Sequence, residues 1–233
     1  MSVVLIFFWG CNTPNLPEQN AEQNTEQEQV VCQGDIHITT QLELDAISNC
    51  THIEGNLIVR DNSELETLEA LSSLRHVSEG IYLFSNTQLK DIDGLQGLVE
   101  IGGAFQADEN HRLTNVDGLQ NVRTMGGDLH IHWNDAITSL SGISNLEHVG
   151  GSVEMLELES IASLPFTQLR SIGGNLQVDD NRLLEDIDGL QRLSEIGEDI
   201  IFTSNRALSR CLIENFVERF SNSTTLSNNG SCE

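Results

Sequence analysis

Basic residues are scarce in this chain of 233 residues. Lysine and arginine together number 11 against 36 aspartate and glutamate residues, so the formal net charge is −25. Such a surface repels nucleic-acid backbones and anionic lipid headgroups, and neither nucleic acid nor polybasic membrane docking is therefore expected. Lys90 is the only lysine. Coiled polysaccharide lyases depend on basic residues in a groove, so this enzyme class has little support.

The motifs of several enzyme classes are missing as well. The chain has no glycine-rich phosphate loop, no HExxH zinc-protease motif and no GxSxG nucleophile elbow. No two cysteines have the CxxC spacing of a zinc knuckle. The pairs Asp91/Asp93 and Asp186/Asp188 could bind calcium or act as paired carboxylates, but their recurrence within the phrase "DIDGL" favours a solvated turn. We therefore predict no catalytic residue and no cofactor.

Long apolar runs are absent, and one short run stands at the start. Val3 to Trp9 ("VVLIFFW") is too short to span a bilayer but long enough for the apolar part of a secretory signal peptide. Gly10 and Cys11 follow, which resembles the cleavage site of bacterial lipoproteins. We predict a signal peptide over residues 1–11 with Cys11 lipidated, and a plain signal peptide or a misassigned start remains the alternative. Residues 12–30 contain almost nothing to bury and predict a disordered tether.

A 24-residue period organises the rest of the chain. Asparagines recur at this spacing in two series, Asn62, Asn86, Asn110 and Asn134, then Asn181 and Asn205. A fixed period of this length is typical of a solenoid, in which each unit buries its apolar face by stacking on its neighbours. Within a unit, alternation such as Leu129-x-Ile131 predicts a half-buried strand that pairs in parallel with the same strand of the next coil.

Glycines and the asparagines mark the predicted corners of each coil. The later apolar spacing of three could indicate a helix, but Gly118 and its equivalents interrupt it, so we predict extended or turn segments in which glycine supplies backbone freedom. The asparagines are predicted to form a ladder that bonds unpaired backbone groups. The unit beginning at Glu147 has Leu158 in place of asparagine and contains Pro165, which predicts a local distortion.

The cysteines and the last apolar residues suggest how the ends are closed. With Cys11 set aside, four cysteines remain, two near each end of the repeats. Their clustering and an exported setting favour Cys32–Cys50 and Cys211–Cys232, one of three possible pairings. Leu212, Phe216 and Phe220 fall on one helical face, which predicts a C-terminal helix that covers the last coil.

Two phrases resemble receptor L domains, the ligand-binding halves of the insulin and epidermal growth factor receptors. Ile47 to Val59 ("ISNCTHIEGNLIV") resembles their opening, and Ile201 to Cys211 ("IFTSNRALSRC") resembles their close. The resemblance covers residues 31–232, and the regular repeats are most similar to secreted or lipid-anchored bacterial members. It implies a three-sided right-handed coil with cystine-capped ends and binding through an exposed face.

These observations together predict an all-β fold. It is a right-handed parallel β-helix or leucine-rich-repeat-like solenoid of about 24-residue coils, with a short C-terminal capping helix. The predicted domains are the signal peptide, the tether and a receptor L-domain-like solenoid over residues 31–232.

The candidate site lies on two columns that alternate with the buried ones and are predicted to point outward. They hold Tyr82, Gln106, His130 and Glu154 in one column and Phe84, Asp108, His132 and Leu156 in the other. A plain solvated strand face is the simplest interpretation, and a patch that recognises a protein or a glycan is the second.

A metal site is the third interpretation of this face. Imidazole and carboxylate groups suit zinc or a similar ion. However, His130 and His132 are about 6.5 Å apart along one strand and must converge by side-chain reach alone. No metal ligand is therefore predicted.

The sequence thus favours a non-enzymatic recognition or adhesion module. It would present its exposed sheet face to an unknown protein or glycan outside the cytoplasm, at the cell envelope or surface or in secreted form. The protein would contact the membrane only through its N-terminal lipid anchor. A structural envelope lipoprotein without a specific ligand is the main alternative, and a metal-dependent polysaccharide-active enzyme is a weaker one.

Overall fold

A computed structural model of the protein describes residues 29–232. The predicted signal peptide, Cys11 and residues 12–28 of the predicted tether lie outside the described residues. Within residues 29–232, no helix combines the length and the apolar character needed to cross a membrane.

Two parallel sheets run along the described chain, with strands numbered in chain order. The smaller sheet has eight strands: β1 (Val31–Gln33), β3 (His52–Glu54), β5 (His76–Val77), β7 (Glu100–Ile101), β9 (Thr124–Met125), β11 (His148–Val149), β13 (Ser171–Ile172) and β15 (Glu195–Ile196). The larger sheet has nine: β2 (Ile36–Ile38), β4 (Leu57–Arg60), β6 (Ile81–Phe84), β8 (Phe105–Asp108), β10 (Leu129–His132), β12 (Val153–Leu156), β14 (Leu176–Asp179), β16 (Ile200–Thr203) and β17 (Thr224–Ser227). The predicted all-β, solenoid-like architecture of parallel sheets is confirmed.

The strands of the larger sheet stack in the register that the repeat predicts. In β10, Leu129 pairs with Phe105 of the preceding coil and with Val153 of the following coil. All three side chains are fully buried. Because successive side chains of a strand point to opposite faces, this register puts one apolar row inside and fixes which side chains line the outer face.

The predicted asparagine ladder is present and buried. The Asn110 side-chain amide donates to the carbonyl of Leu83 at 2.9 Å and of Asp108 at 3.1 Å. Its Oδ1 accepts the backbone N–H of Asn86 at 3.1 Å. The ladder also continues beyond the predicted series, because Asn205 donates its N–H to Asn229 Oδ1 at 3.1 Å. The last strand, β17, belongs to this additional coil and was not predicted.

The corners differ from the prediction. Short 3₁₀ helices replace the expected extended or turn segments at Glu69–Leu71, Asp93–Leu95, Asp117–Leu119, Ser141–Ile143 and Asp188–Arg192. A Cβ on Gly118 would lie 1.9 Å from the carbonyl oxygen of Ile92 in the coil beneath. Glycine is therefore required for close stacking of coils, and the prediction that it supplies backbone freedom there is wrong.

Positive backbone φ angles occur at another corner, immediately before each ladder position. Eight non-glycine residues adopt them: Asp61, Ser85, Glu109, Trp133, Glu157, Asp180, Ser204 and Asn228. Seven of these residues are polar, and Trp133 is the one aromatic residue in the series.

The irregular coil is distorted, as predicted. Leu158 takes the asparagine position, is fully buried, and donates its N–H to Asn181 Oδ1 at 3.0 Å. The described residues between β12 and β13 contain no 3₁₀ helix, and Phe166 fills the core there instead. In this coil, the side chain of Leu158 thus takes the place of the asparagine side chain, and that of Phe166 packs where the other coils have a 3₁₀ helix.

Helices and disulfides close both ends. Helix α1 (Gln41–Ala46) begins with a capping box, in which Thr40 is the N-cap and Glu43 the third helical residue, and was not predicted. Helix α2 (Arg210–Val217) is the predicted C-terminal cap. Its buried residues are Ile213 and Phe216, whereas Leu212 is 43% exposed, so the predicted contact face is wrong at Leu212. The predicted disulfides Cys32–Cys50 and Cys211–Cys232 are both present.

Candidate ligand-binding face

The structure brings all eight predicted site residues together on the outer surface of β6, β8, β10 and β12. We call this surface the central face; it consists of Tyr82, Phe84, Gln106, Asp108, His130, His132, Glu154 and Leu156. One row reads Tyr82, Gln106, His130, Glu154, and the next reads Phe84, Asp108, His132, Leu156. The predicted alignment of units is therefore confirmed.

The central face is less solvated than an outward-pointing strand surface would suggest. Seven of its side chains are half-buried, and His132 is only 9% exposed. The rings of His130 and His132 stack with centroids 5.3 Å apart, and the Trp133 ring lies edge-on to His132 at 5.7 Å. Neighbouring side chains thus cover His132 although its strand faces solvent.

Glu154 joins the two histidines. Its Oε1 lies 3.6 Å from His130 Nε2, and its Oε2 lies 3.3 Å from His132 Nε2. The two histidines therefore converge through the reach of their side chains, and a carboxylate from the next strand spans the gap that separates them along β10.

Two polar groups lie on the other side of the imidazole rings. Gln106 Nε2 is 3.2 Å from His130 Nδ1, and Asp108 Oδ1 is 3.7 Å from His132 Nδ1. The second distance exceeds a hydrogen bond, and Asp108 Oδ1 is accordingly buried without a partner. His130 Nε2 and His132 Nε2 are also buried without a hydrogen-bond partner. Three unpaired polar atoms in one small region are unusual, because buried polar groups are normally bonded.

Burial shifts the protonation of two groups on the central face. It lowers the pKa of His132 to about 4, with a smaller contribution from the neighbouring His130. It also raises the pKa of Asp108 to about 6, against the attraction of His130. His132 is therefore neutral near pH 7, and a neutral imidazole has a lone pair available.

Partly exposed aromatic side chains flank the polar centre. The rings of Tyr82 and Phe84 lie 5.8 Å apart on β6. Trp133 is 41% exposed and has a φ of 52°. Trp133 was not predicted to lie in the site, although one signal was present: it occupies the corner where the other units have Asp, Ser, Glu or Asn.

The aspartate pairs outside this face have a structural role at the corners. Asp91 Oδ1 accepts the N–H of Asp93 at 3.3 Å, and Asp186 Oδ1 accepts the N–H of Asp188 at 2.6 Å. Such bonds are those expected of an aspartate side chain that caps its own backbone. Asp93 and Asp188 each begin a 3₁₀ helix in place of the predicted turn, and Asp91 is half-buried rather than solvated.

The comparison with known families covers one half of the central face. The family model of the receptor L domain matches residues 49–116. Residues 49–116 are therefore receptor L-domain-like, in agreement with the opening phrase, most of which lies in this segment, whereas the closing phrase Ile201 to Cys211 lies outside it. The matched segment of the receptor L domain includes Tyr82, Phe84, Gln106 and Asp108 of the central face. No curated protein matches the chain significantly. The receptor L domain family consists of ligand-binding domains rather than enzymes.

Proposed function

We propose that this protein is an extracellular binding module that presents the central face to a protein ligand. The observation that carries the proposal is Trp133, a bulky, exposed side chain beside the buried His132. The seven equivalent corners with positive φ hold Asp, Ser, Glu or Asn, so the scaffold does not require an aromatic side chain there. Tryptophan is also among the residues most enriched at the energetic centres of protein interfaces.

The scaffold supports such a role because it is already ordered. The rows beneath the central face, such as Ala107, Ile131 and Met155, are fully buried. The larger sheet therefore holds its outer side chains in fixed positions, and a ligand would not have to order them on binding. We infer a right-handed winding of about 24-residue coils, since parallel crossovers are right-handed in nearly all proteins.

The proposed setting is outside the cytoplasm. Two disulfides are present, and disulfides persist in oxidising compartments. The signal peptide, the lipid on Cys11 and the tether remain part of this proposal. In it, the lipid anchor is the only contact with the membrane, and the tether holds the solenoid of residues 31–232 away from the surface.

Trp133→Asn separates the proposed binding role from stability. Asparagine tolerates positive φ, so the variant is expected to gain about 1 kcal/mol of unfolding free energy and about 2–4 °C in Tm. The same variant is expected to lose at least about tenfold in ligand retention, because it removes the exposed aromatic ring. Immobilised full-length protein is exposed to the surface-protein extract of the producing cells, and bound proteins are identified by mass spectrometry.

Leu183→Asn is the matched control, since Leu183 is 55% exposed and lies outside the central face. A protein retained by the wild type and by this control, but lost with Trp133→Asn, supports the proposal. Equal retention by the wild type and both variants contradicts it and favours a structural role. Retention that survives protease treatment but is lost after glycosidase treatment would identify a glycan instead of a protein.

A further inference from the structure

His130, His132 and Glu154 form a cluster that the proposed protein binding does not explain. One ligand atom from each of the three residues lies within 4.8 Å of the others. The Glu154 oxygens lie 3.3 and 3.6 Å from the two Nε2 atoms. Ligand atoms about 2.0–2.1 Å from a tetrahedral zinc ion lie about 3.3 Å apart. The two nitrogen–oxygen distances are close to this value, one to each oxygen of the Glu154 carboxylate.

We propose that His130 Nε2, His132 Nε2 and the Glu154 carboxylate bind a divalent transition-metal ion of the zinc class. The independent observation is that both Nε2 atoms are buried and have no hydrogen-bond partner, although they are directed at the same carboxylate. A bound cation supplies the partner that each lone pair lacks. Two imidazoles and one carboxylate are a donor set that suits zinc.

The side chains that face the Nδ1 atoms of the two histidines also fit a metal site. A histidine that binds metal through Nε2 usually donates its Nδ1–H to a carboxylate, carbonyl or water. Asp108 Oδ1 faces His132 Nδ1 at 3.7 Å and otherwise has no partner. The Gln106 amide faces His130 Nδ1 at 3.2 Å, and a flip of this amide presents its oxygen as the acceptor. Both rings then keep the tautomer with a free lone pair on Nε2.

The carboxylates around the cluster favour a bound cation, and the cluster is open to solvent on one side. Asp128 Oδ2 lies 4.0 Å from His130 Nε2 and adds a second carboxylate near the ion. Glu154 is only half-buried, so the ion has one side toward solvent. Three protein ligands with an open fourth position leave room for water or for a group from a bound molecule. Within residues 29–232, the other cluster of possible ligand atoms includes Cys211 and Cys232, whose sulfur atoms are joined in a disulfide.

The test uses full-length protein stripped of metal with EDTA and then titrated with zinc chloride in a calorimeter. One zinc ion per chain is expected, together with a rise in Tm that EDTA reverses. Cobalt(II) chloride, used as a second probe, is expected to give the visible absorption of a tetrahedral nitrogen–oxygen site. His130→Gln and Glu154→Gln are expected to weaken zinc binding by about 100-fold or more. Asp108→Asn is expected to weaken it by about tenfold, as for other groups that orient a ligand.

His111→Gln is the matched control, because His111 also faces a carboxylate, that of Asp135 at 3.1 Å, but is exposed and outside the cluster. It is expected to bind zinc like the wild type. Variants whose metal-free Tm matches that of the wild type exclude unfolding as the cause of lost binding. No zinc binding by the wild type overturns the proposal, as does equal loss in His111→Gln or unchanged binding in Glu154→Gln. The outcome is independent of the protein ligand, because no ligand is present.

Discussion

Asn110→Asp is expected to lower the free energy of unfolding by about 3–5 kcal/mol at pH 7. Asn110 is fully buried and donates to the carbonyls of Leu83 and Asp108. A carboxylate of the same shape has no N–H to donate, so both carbonyls lose this donor and a buried charge is left beside them. Urea denaturation followed by circular dichroism measures the loss.

The pH dependence gives this prediction a second readout. Burial raises the pKa of the new carboxyl in the folded state above its unfolded value of about 3.9. Because the pKa of this carboxyl is higher in the folded state, its protonated form leaves the variant more stable below pH 3.9, and that stability is lost as the pH rises through the folded pKa. The difference between variant and wild type should therefore shrink on acidification.

Asn121→Asp is the control, since Asn121 is exposed and donates one bond, to the Gln96 carbonyl at 2.9 Å. Its expected loss is below about 1 kcal/mol. If both variants were equally stable at pH 7, the asparagine ladder would not contribute to coil stacking as we describe.

Gly118→Ala is expected to cost about 3 kcal/mol, although alanine is normally the better residue in a helical turn. A Cβ at this position would meet the Ile92 carbonyl oxygen at 1.9 Å and the Ile92 carbonyl carbon at 2.7 Å. Both atoms are backbone of the preceding coil, so the clash can be relieved only by moving one coil away from the next. That movement weakens the parallel pairing on both sides of the corner.

Whether Gly118→Ala lowers or raises the folding stability shows why glycine occupies this position. At a glycine chosen for flexibility alone, alanine would stabilise by about 0.4–1 kcal/mol. Gln120→Ala, on the exposed last residue of the same turn, should change stability by less than about 0.5 kcal/mol. Thermal denaturation of the three proteins compares them directly. A gain in Tm for Gly118→Ala would contradict the close approach of the coils.

Most of the scaffold could be predicted because each coil repeats one set of physical constraints. The 24-residue asparagine period determined the register, and alternation within Leu129–His132 determined which side chains face inward. Signals were also present for two elements that were missed. Asn229 lies 24 residues after Asn205, and Thr40 with Glu43 has the spacing of a capping box.

The burial and the contacts of the site residues could not be predicted from the sequence repeat. Burial of His132 depends on non-repeating side chains from neighbouring coils, namely Asp108, Glu154 and the adjacent Trp133. The role of Gly118 depends on a backbone atom of another coil, which sequence periodicity does not place. Periodicity predicts which residues share a row, but the distances between their polar atoms follow from side-chain packing.

The register of β8, β10 and β12, with β14 beside them, is the central claim, because the register of these strands decides which side chains face outward in the central face. Nuclear Overhauser spectra of methyl-labelled protein test it directly. We predict a continuous series of contacts between the methyl groups of Ala107, Ile131, Met155 and Val178, which are paired in sequence across the sheet. Contacts from the His130 or His132 ring to these methyl groups, in place of that series, would show a shift of one residue and contradict the account.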